Sequence, residues 1–433
     1  MSTPAHKNPF LSNIRVLLGS CAGTTIEFYD FYIYGTAASL VLGPLFFPSS
    51  SPSLQLLSAY ASFSLAFIAR PLGAVVFGHF GDRIGRKSTL VASLLLMGLS
   101  TFAIALLPGY QQAGWFAPLI LCVLRFGQGF GLGGEWGGAA LLAAENAPVG
   151  YRGRFGIFPQ LGASFGFFLS NGLFLLLGLF LSQDDFIAWG WRLPFLLSAL
   201  LVAVGLWVRL RLTETPVFKA AMADHAPVRV PLSEVFRNYP REVIGGTFAV
   251  VSVFASFYLA TAFALGYGTG TLKYARETFL AAQLGAIVFL AFGTVLGGVW
   301  ADRADGRRAL MMGYGGTVIA GFLLAPMMGS GNLGLVWLFM SIVLFLMGVS
   351  YGPMSSWLPL LFPPRVRYTG ASVAFNLGGI IGGGLAPIAA QALADNGGLA
   401  LVGYYLSTAG LLSFTAMWLL PSAAMPAGEK ART

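Results

Sequence analysis

Charged residues are scarce in this sequence. Asp, Glu, Lys and Arg make up 9% of the 433 residues, whereas 56% are hydrophobic; a soluble globular chain carries about 25% charged residues. A soluble fold of this length could not bury so much apolar surface, so the composition predicts a membrane protein with many spans. The apolar runs are long and unbroken. Transmembrane β-barrels instead have alternating segments of about ten residues, so this pattern argues against a β-barrel.

Cysteine and histidine are nearly absent, with two and three residues respectively. Cys21 and Cys122 lie in apolar stretches, so we expect no disulfide framework. His79 and His225 have no second histidine or cysteine at metal-ligand spacing, so we expect no metal site and no cofactor. No serine–histidine–acid set can be assembled either, and the sequence therefore does not predict an enzyme.

The formal charge of +9 would suggest nucleic-acid binding in a soluble protein, but here its distribution describes membrane topology. All but five of the 25 Lys and Arg residues fall on one side of the predicted spans. The exceptions are Arg70 and Arg125 inside apolar runs and Arg192, Lys273 and Arg276 in the opposite loops. Because Lys and Arg mark the cytoplasmic side, the sequence predicts cytoplasmic termini and no nucleic-acid partner.

About twelve apolar runs are long enough to span a bilayer as helices. They cover residues 16–45, 56–77, 88–107, 115–140, 155–181, 193–208, 243–265, 278–299, 310–328, 333–351, 370–393 and 401–420. A polar, proline-containing stretch separates six runs from six. We therefore predict an all-α membrane protein with an N-terminal six-helix bundle (1–208), a cytoplasmic linker (209–242) and a C-terminal six-helix bundle with a short tail (243–433).

One charged turn occurs twice. Residues 78–87 read Gly-His-Phe-Gly-Asp-Arg-Ile-Gly-Arg-Lys, and residues 298–308 read Gly-Val-Trp-Ala-Asp-Arg-Ala-Asp-Gly-Arg-Arg. In each copy an Asp-Arg pair begins four residues after the first glycine, which indicates two similar halves. Asp305, inserted before Gly306 in the second copy, predicts a turn of different shape.

Charges at these turns and after the fourth and tenth runs predict a reversible latch on the cytoplasmic face. Exposed ion pairs contribute less than about 1 kcal/mol each, which suits a contact that must break. The alternative is that these charges only set topology. The candidate gate residues are Asp82, Arg83, Arg86, Glu145, Arg152, Asp302, Arg303, Arg307, Arg365 and Arg367.

Two carboxylates interrupt the first apolar run. Glu27 and Asp30 are three residues apart, so they face one direction, and Asp30 lies near mid-bilayer. An ionised carboxylate there is costly unless it meets water or a partner. Burial also favours the uncharged form, which suits a group that loads and unloads protons. The alternative is a structural pair with Arg125 or Arg70.

The fourth run places Arg125, Gln128 and Glu135 on one helical face. Arg125 lies near the midplane, where its guanidinium either binds an anionic substrate or pairs with Glu27 or Asp30. The surrounding glycines predict close helix packing rather than a nucleotide loop, since no strand precedes them. Arg70, followed by the helix-kinking Pro71, is expected to be structural.

Neutral polar residues occur where glycine or proline interrupts other runs, and such breaks indicate where a cavity can form. The candidates for substrate contacts are Tyr34, Gln160, Tyr258, Tyr351 and Asn376. Each of them has the alternative of a simple helix–helix contact. Because the second half has no acid in the middle of a span, we expect it to supply neutral and aromatic walls.

The charged turn at residues 78–87 resembles the cytoplasmic signature of the major facilitator superfamily. Within that superfamily, the chain is similar to the metabolite:H+ symporter family, including its shikimate-type and YhjE-like carriers. The matching stretches are residues 25–35, 77–83, Arg125 with 134–140, and 189–195. Phe28 departs from the tryptophan common in the family.

The resemblance implies a bacterial inner-membrane carrier that works by alternating access around a midplane site and imports a small metabolite with protons. It adds the role of proton carrier to Asp30, Glu27 and Glu135, with Arg125 holding a substrate carboxylate. We expect a monomer in the lipid bilayer. A drug/H+ antiporter is the alternative, against which Arg125 argues, and a non-transporting sensor would need a signalling domain that the short cytoplasmic segments do not provide.

Overall fold

A computed structural model describes residues 9–49, 51–84, 86–133, 135–211, 231–363 and 366–420. Within these ranges the regular structure is entirely helical. We refer to residues 9–211 as the N-terminal half and residues 231–420 as the C-terminal half.

Seven numbered helices lie in the N-terminal half, and an eighth begins the C-terminal half. They are α1 (Pro9–Ala37), α2 (Pro52–Ile84), α3 (Arg86–Ala105), α4 (Phe116–Leu132), α5 (Glu135–Glu145), α6 (Arg152–Phe180), α7 (Leu193–Arg211) and α8 (Pro231–Asn238). The remaining long helices are α9 (Pro240–Tyr258), α10 (Arg276–Arg303), α11 (Gly306–Met328), α12 (Leu333–Trp357), α13 (Arg367–Gly379), α14 (Leu385–Gly397) and α15 (Leu399–Leu419). Short helices occupy Gly43–Phe46, Tyr110–Ala113, Gln183–Ala188, Gly190–Arg192, Ala264–Gly270 and Leu358–Leu361.

Ten helical stretches in the described ranges are long and apolar enough to cross a membrane, and Val91–Ala105 is a shorter apolar helix. Helices overlap every predicted run, and several extend further, since charged turn residues can continue a helix beyond its apolar part. Of the predicted linker, residues 212–230 lie outside the described ranges. Helix α7 reaches Arg211 and helix α8 begins at Pro231, so helical structure occupies both ends of that stretch.

Three helices contain a π-helical turn, at Ala38–Leu42 after α1, Leu259–Phe263 after α9 and Ile380–Gly384 after α13. The wider turn shifts the backbone hydrogen-bond register, and such turns are frequent at functional sites. The first two follow the first long helix of their respective halves. All three contact the opposite half.

The glycines of α4 allow close helix packing, as the sequence predicts. A Cβ atom on Gly129 would collide with the backbone carbonyl of Ala66, and one on Gly133 would collide with that of Arg70. Helices α2 and α4 therefore approach each other at backbone distance. Across the halves, α6 packs along α10 and α12, while α2 packs against α13 and its π-turn.

Candidate functional site

Arg125 lies fully buried within a cage of aromatic rings. Its Cζ atom is 4.3 Å from the ring centroid of Phe31, 4.2 Å from that of Tyr34 and 4.8 Å from that of Phe63. Aromatic faces attract a cation, and the attraction is stronger where water is excluded. The cage thus offsets part of the cost of burying the guanidinium group.

The hydrogen bonds of Arg125 leave one nitrogen available. Its Nε donates to the backbone oxygen of Phe63 (3.4 Å), and its Nη1 donates to Oε1 of Gln128. Its Nη2 has no hydrogen-bond partner among the described residues. A buried N–H without an acceptor is costly, so this geometry is prepared for an anionic ligand.

Gln128 links Arg125 to the buried Asp30 through hydrogen bonds. The sequence analysis had left open a direct ion pair between Arg125 and Asp30. The Gln128 Nε2 atom donates to the backbone oxygen of Asp30 (2.9 Å) and to Oγ1 of Thr101 (2.9 Å). Thr101 in turn donates to Oδ2 of Asp30 (3.5 Å). Sequence reasoning missed Thr101, because an apolar run gives no sign of which hydroxyl faces the centre.

Glu27 faces a second arginine. Together with Arg70, Trp136 and Asn376 it lines a cavity of about 20 Å³, which has room for roughly one water molecule. The Cζ atom of Arg70 lies 4.3 Å from the Phe31 centroid, the ring that also contacts Arg125. Arg70 thus lines the cavity beside Glu27, and the structural role expected for it stays a prediction.

The C-terminal half closes this cavity with neutral groups. The Nδ2 of Asn376 donates to the backbone oxygen of Gly133 (3.0 Å). The rings of Phe375 and Trp136 stack with centroids 3.6 Å apart, and Trp136 was another residue that the sequence analysis did not select.

Gln160 connects that ring stack to the tenth predicted span. It accepts from the Trp136 indole (3.2 Å) and donates to the backbone oxygen of Tyr351 (2.8 Å). The structure thus brings Gln160 and Tyr351 into contact across the two halves, although the Tyr351 atom that takes part is on the backbone. Tyr34, in contrast, uses its hydroxyl on Ser62 (2.7 Å), within the N-terminal half.

Tyr258 joins the aromatic core between the halves. Its ring centroid lies 5.2 Å from that of Phe63 and 5.5 Å from that of Phe67. It also lines a second cavity, of about 10 Å³, on the side away from Glu27, together with the buried amides of Asn171 and Gln283. These two amides form a hydrogen bond of 3.4 Å between the halves.

At the arginine-rich end of the molecule, which holds both charged turns, Asp302 joins the halves. Its carboxylate accepts from the backbone N–H groups of Gly153 (2.6 Å) and Arg154 (2.9 Å) at the start of α6. A carboxylate at a helix N-terminus also interacts favourably with the helix dipole. Arg154, which the sequence analysis did not select, adds an ion pair at 3.7 Å.

At the opposite end, uncharged hydrogen bonds join the halves at the π-turns. Ser39 (3.0 Å) and Tyr60 (2.8 Å) both donate to the backbone oxygen of Ala262, within one π-turn. Ser64 donates to the backbone oxygen of Gly384, within another (2.5 Å). The halves therefore contact each other on both sides of the central residues, and the structure represents an occluded conformation.

Two predicted gate residues donate hydrogen bonds to backbone oxygens of the C-terminal half, and others lie outside the described part. Arg307 donates to the backbone oxygen of Trp418 (2.9 Å), and Arg367 donates to that of Phe362 (3.2 Å). Arg303 is exposed at the end of α10. The side chains of Asp82, Arg83, Arg86, Glu135 and Glu145, and the whole of Arg365, lie outside the described residues. Their roles, proton coupling for Glu135 and the gate for the others, stay predictions.

Asp305 explains the departure of the second turn from the first. Its side chain accepts from the backbone N–H of Arg307 (3.0 Å) and so caps the N-terminus of α11. The insertion therefore ends one helix and starts the next.

Comparison with known proteins fits this arrangement. A family model described as Major Facilitator Superfamily matches residues 20–383. The chain belongs to the Major Facilitator Superfamily. It is thus a multi-pass membrane transporter rather than an enzyme.

Relatives within this superfamily align over nearly the whole chain. The inner membrane metabolite transport protein YhjE of Escherichia coli K12 is 47% identical over 417 residues, covering 95% of this chain and 94% of the relative. The shikimate transporter of the same strain is 37% identical, covering 88% and 87%. The proline/betaine transporter of Escherichia coli K12 is 29% identical, covering 90% of this chain and 80% of the relative.

Solved structures of the xylose transporter XylE from E. coli have the same fold. A partially occluded inward-open conformation superposes with a TM-score of 0.74 at 18% identity, covering 95% of this chain and 99% of that one. The proton:xylose symporter bound to 6-bromo-6-deoxy-D-glucose gives 0.75 at 17% identity, covering 94% and 96%. At these identities the likeness describes the fold alone.

Proposed function

We propose that this protein imports a small organic acid or zwitterionic metabolite together with protons. The observation that carries the proposal is the buried Arg125, whose Nη2 has no acceptor among the described residues, linked through one glutamine to the buried Asp30. An anion can bind such a guanidinium, and a nearby carboxyl group can take up a proton in the same event. The metabolite, shikimate and betaine transporters among the relatives support this reading.

The architecture that we infer is two six-helix bundles of residues 1–208 and 243–433, joined by a linker of residues 209–242. It adds two spans to the ten apolar helices, formed by the helix from Pro9 to Phe46 and by Arg86–Ala105. From an even number of spans and the distribution of Lys and Arg, we infer that both termini lie in the cytoplasm. We infer a monomer in the bacterial inner membrane, where the relative YhjE is located by its name.

Substrate binding falls to Arg125, with Gln128 and Tyr34 beside it and Gln160, Tyr258, Tyr351 and Asn376 on the facing walls. Asp30, Glu27 and Glu135 are the proton-coupling residues. At low external pH such a carboxyl group is protonated and uncharged. Burying this form in the closed, low-dielectric state costs less free energy than burying the ionised form. Proton and substrate would then be released together on the cytoplasmic side.

Alternating access requires the contacts at the two ends to break in turn. The Asp302 contact closes the arginine-rich end, which the charge distribution assigns to the cytoplasm. The hydroxyl–carbonyl bonds at the π-turns close the opposite end. In each cycle one set opens while the other holds.

The test begins with a thermal-shift screen of small carboxylates, zwitterions and betaines on the purified full-length protein, since a ligand stabilises the state that it binds. The compound with the largest shift is then offered to proteoliposomes with and without an inward proton gradient. We expect accumulation only with the gradient. Uptake that is indifferent to the gradient would contradict proton coupling, and net efflux of an aromatic cation would favour the drug/H+ antiporter.

A further inference from the structure

The proposed function leaves the second buried arginine without a task. Arg70 is 7% exposed, and its Nε has no hydrogen-bond partner among the described residues. Its ring contacts are with Phe31 at 4.3 Å and Phe67 at 5.1 Å. Rings balance part of its charge but accept no conventional hydrogen bond, so the Nε of Arg70 can donate to an acceptor on a ligand.

The groups around Arg70 define which acceptor fits. The cavity at Arg70 also contains the carboxyl group of Glu27 and the amide of Asn376. The Nδ2 of Asn376 is used by the backbone of Gly133, and its Oδ1 accepts no hydrogen bond from a described residue. A ligand group placed here meets one cationic donor and two oxygen acceptors.

A hydroxyl group satisfies this set, because it accepts one hydrogen bond and donates another. It can accept from Arg70 and donate to Glu27 or Asn376. A second carboxylate could accept from Arg70, but an ionised carboxylate has no proton to donate to the Oδ1 of Asn376. The remaining lining of Phe28, Leu132 and Phe375 suits an apolar ring or chain carrying that hydroxyl.

Phe31 relates this subsite to the carboxylate site. Its ring centroid is 4.3 Å from the Cζ atoms of both Arg70 and Arg125. The two guanidinium groups are therefore separated by no more than twice that distance, which one substituted six-membered ring can span when the phenyl ring shifts aside.

We propose that Arg70 binds a hydroxyl group of the substrate, so that the transported acid is a hydroxylated monocarboxylate. This inference rests on the proposed function, in which Arg125 holds the carboxylate. Arg70 then selects among carboxylic acids rather than recognising the anion itself.

The test compares matched ligands on the purified full-length protein by thermal-shift titration. Shikimate and quinate carry ring hydroxyls, cyclohexenecarboxylate and cyclohexanecarboxylate are the same rings without them, and succinate is a dicarboxylate. A hydrogen bond to a charged group predicts that wild type binds each hydroxylated acid at least about tenfold more tightly than its plain counterpart. In Arg70→Gln the ratio should fall to about one, while affinity for the plain acids changes less than about threefold.

Arg70→Lys keeps a cationic donor and should retain part of the ratio. If Arg70 had a purely structural role, its substitution would instead lower the affinities for plain and hydroxylated acids together. Size-exclusion profiles establish that each variant is folded; if Arg70→Gln is not, Asn376→Ala, which removes an acceptor of the same subsite, should also reduce the ratio.

Three results would overturn the inference alone: equal binding of plain and hydroxylated acids by wild type, tighter binding of succinate, or an unchanged ratio in Arg70→Gln. If folded wild type binds none of these carboxylates, the carboxylate site of the proposed function is itself contradicted.

Discussion

The two halves share a charged turn but differ in what they place at the centre. Among the described side chains of the N-terminal half, four charged ones are buried, which are Glu27, Asp30, Arg70 and Arg125. Among described residues 231–420, none of the fully buried side chains is charged, and the facing wall consists of rings, amides and hydroxyls. In the proposed transport cycle each half detaches from the other, which would use the turn twice. Recognition of a charged solute, as proposed, would need only one set of charges.

Of the substitutions that test this difference between the halves, Arg125→Gln should have the largest effect. Losing a buried, hydrogen-bonded charge costs about 2–5 kcal/mol, so we expect carboxylate affinity to fall by about 100-fold or more. Tyr258→Phe, on the neutral wall, should cost less than about fivefold. Both are measured by ligand titration, with Arg192→Gln as the control, since Arg192 binds the Ala188 and Leu107 backbone at the opposite end. Near-normal affinity in Arg125→Gln would remove it from the binding site.

Asp30→Asn tests whether the acids of the N-terminal half couple transport to protons. An amide cannot carry the proton, so accumulation under an inward proton gradient should disappear. Counterflow exchange, which needs no net proton movement, should remain. Asp185→Asn is the matched control, because Asp185 is an exposed residue that bonds Ser182 near the opposite end. Full accumulation by Asp30→Asn would exclude Asp30 as an essential proton carrier.

Asp302→Ala tests the feature that the halves share. It removes the two backbone hydrogen bonds to α6, worth about 1–2 kcal/mol, and should open the arginine-rich end about tenfold more often. The readout is thiol labelling of Ile157→Cys, a buried position against Gly298 across the interface, in a chain with both native cysteines replaced by serine.

Asp305→Ala provides the control for that experiment, since Asp305 caps only its own helix. Equal labelling in Asp302→Ala and Asp305→Ala would mean that the Asp302 contact does not hold the end closed.

Tyr60→Phe should give the smallest effect. It removes one of two hydroxyl donors to the Ala262 carbonyl, worth about 1 kcal/mol, so the opposite end should open up to about fivefold more often. Labelling of Leu56→Cys, which packs near Gly266, measures this opening. The exposed Tyr110, changed to Phe, serves as the control. An effect larger than that of Asp302→Ala would reverse the ranking of the two ends.

The sequence determined the membrane class, the helical runs, the repeated turn and the short set of buried charges. It could do so because the bilayer thickness requires about 20 apolar residues per span, and because a charge inside such a run is conspicuous. Arg125 and Asp30 stand out for that reason alone. The close packing of α4 could also be predicted, because its glycines allow the backbone of a neighbouring helix to approach closely.

Only the tertiary structure decided which of these groups meet. Gln128 stands between Arg125 and Asp30, Arg70 shares the Phe31 ring with Arg125, and Asp302 binds the start of α6. These contacts depend on the rotation of each helix about its axis and on π-turns that shift that rotation. Both are set by packing between segments far apart in the chain, where neighbouring residues in the sequence carry no information.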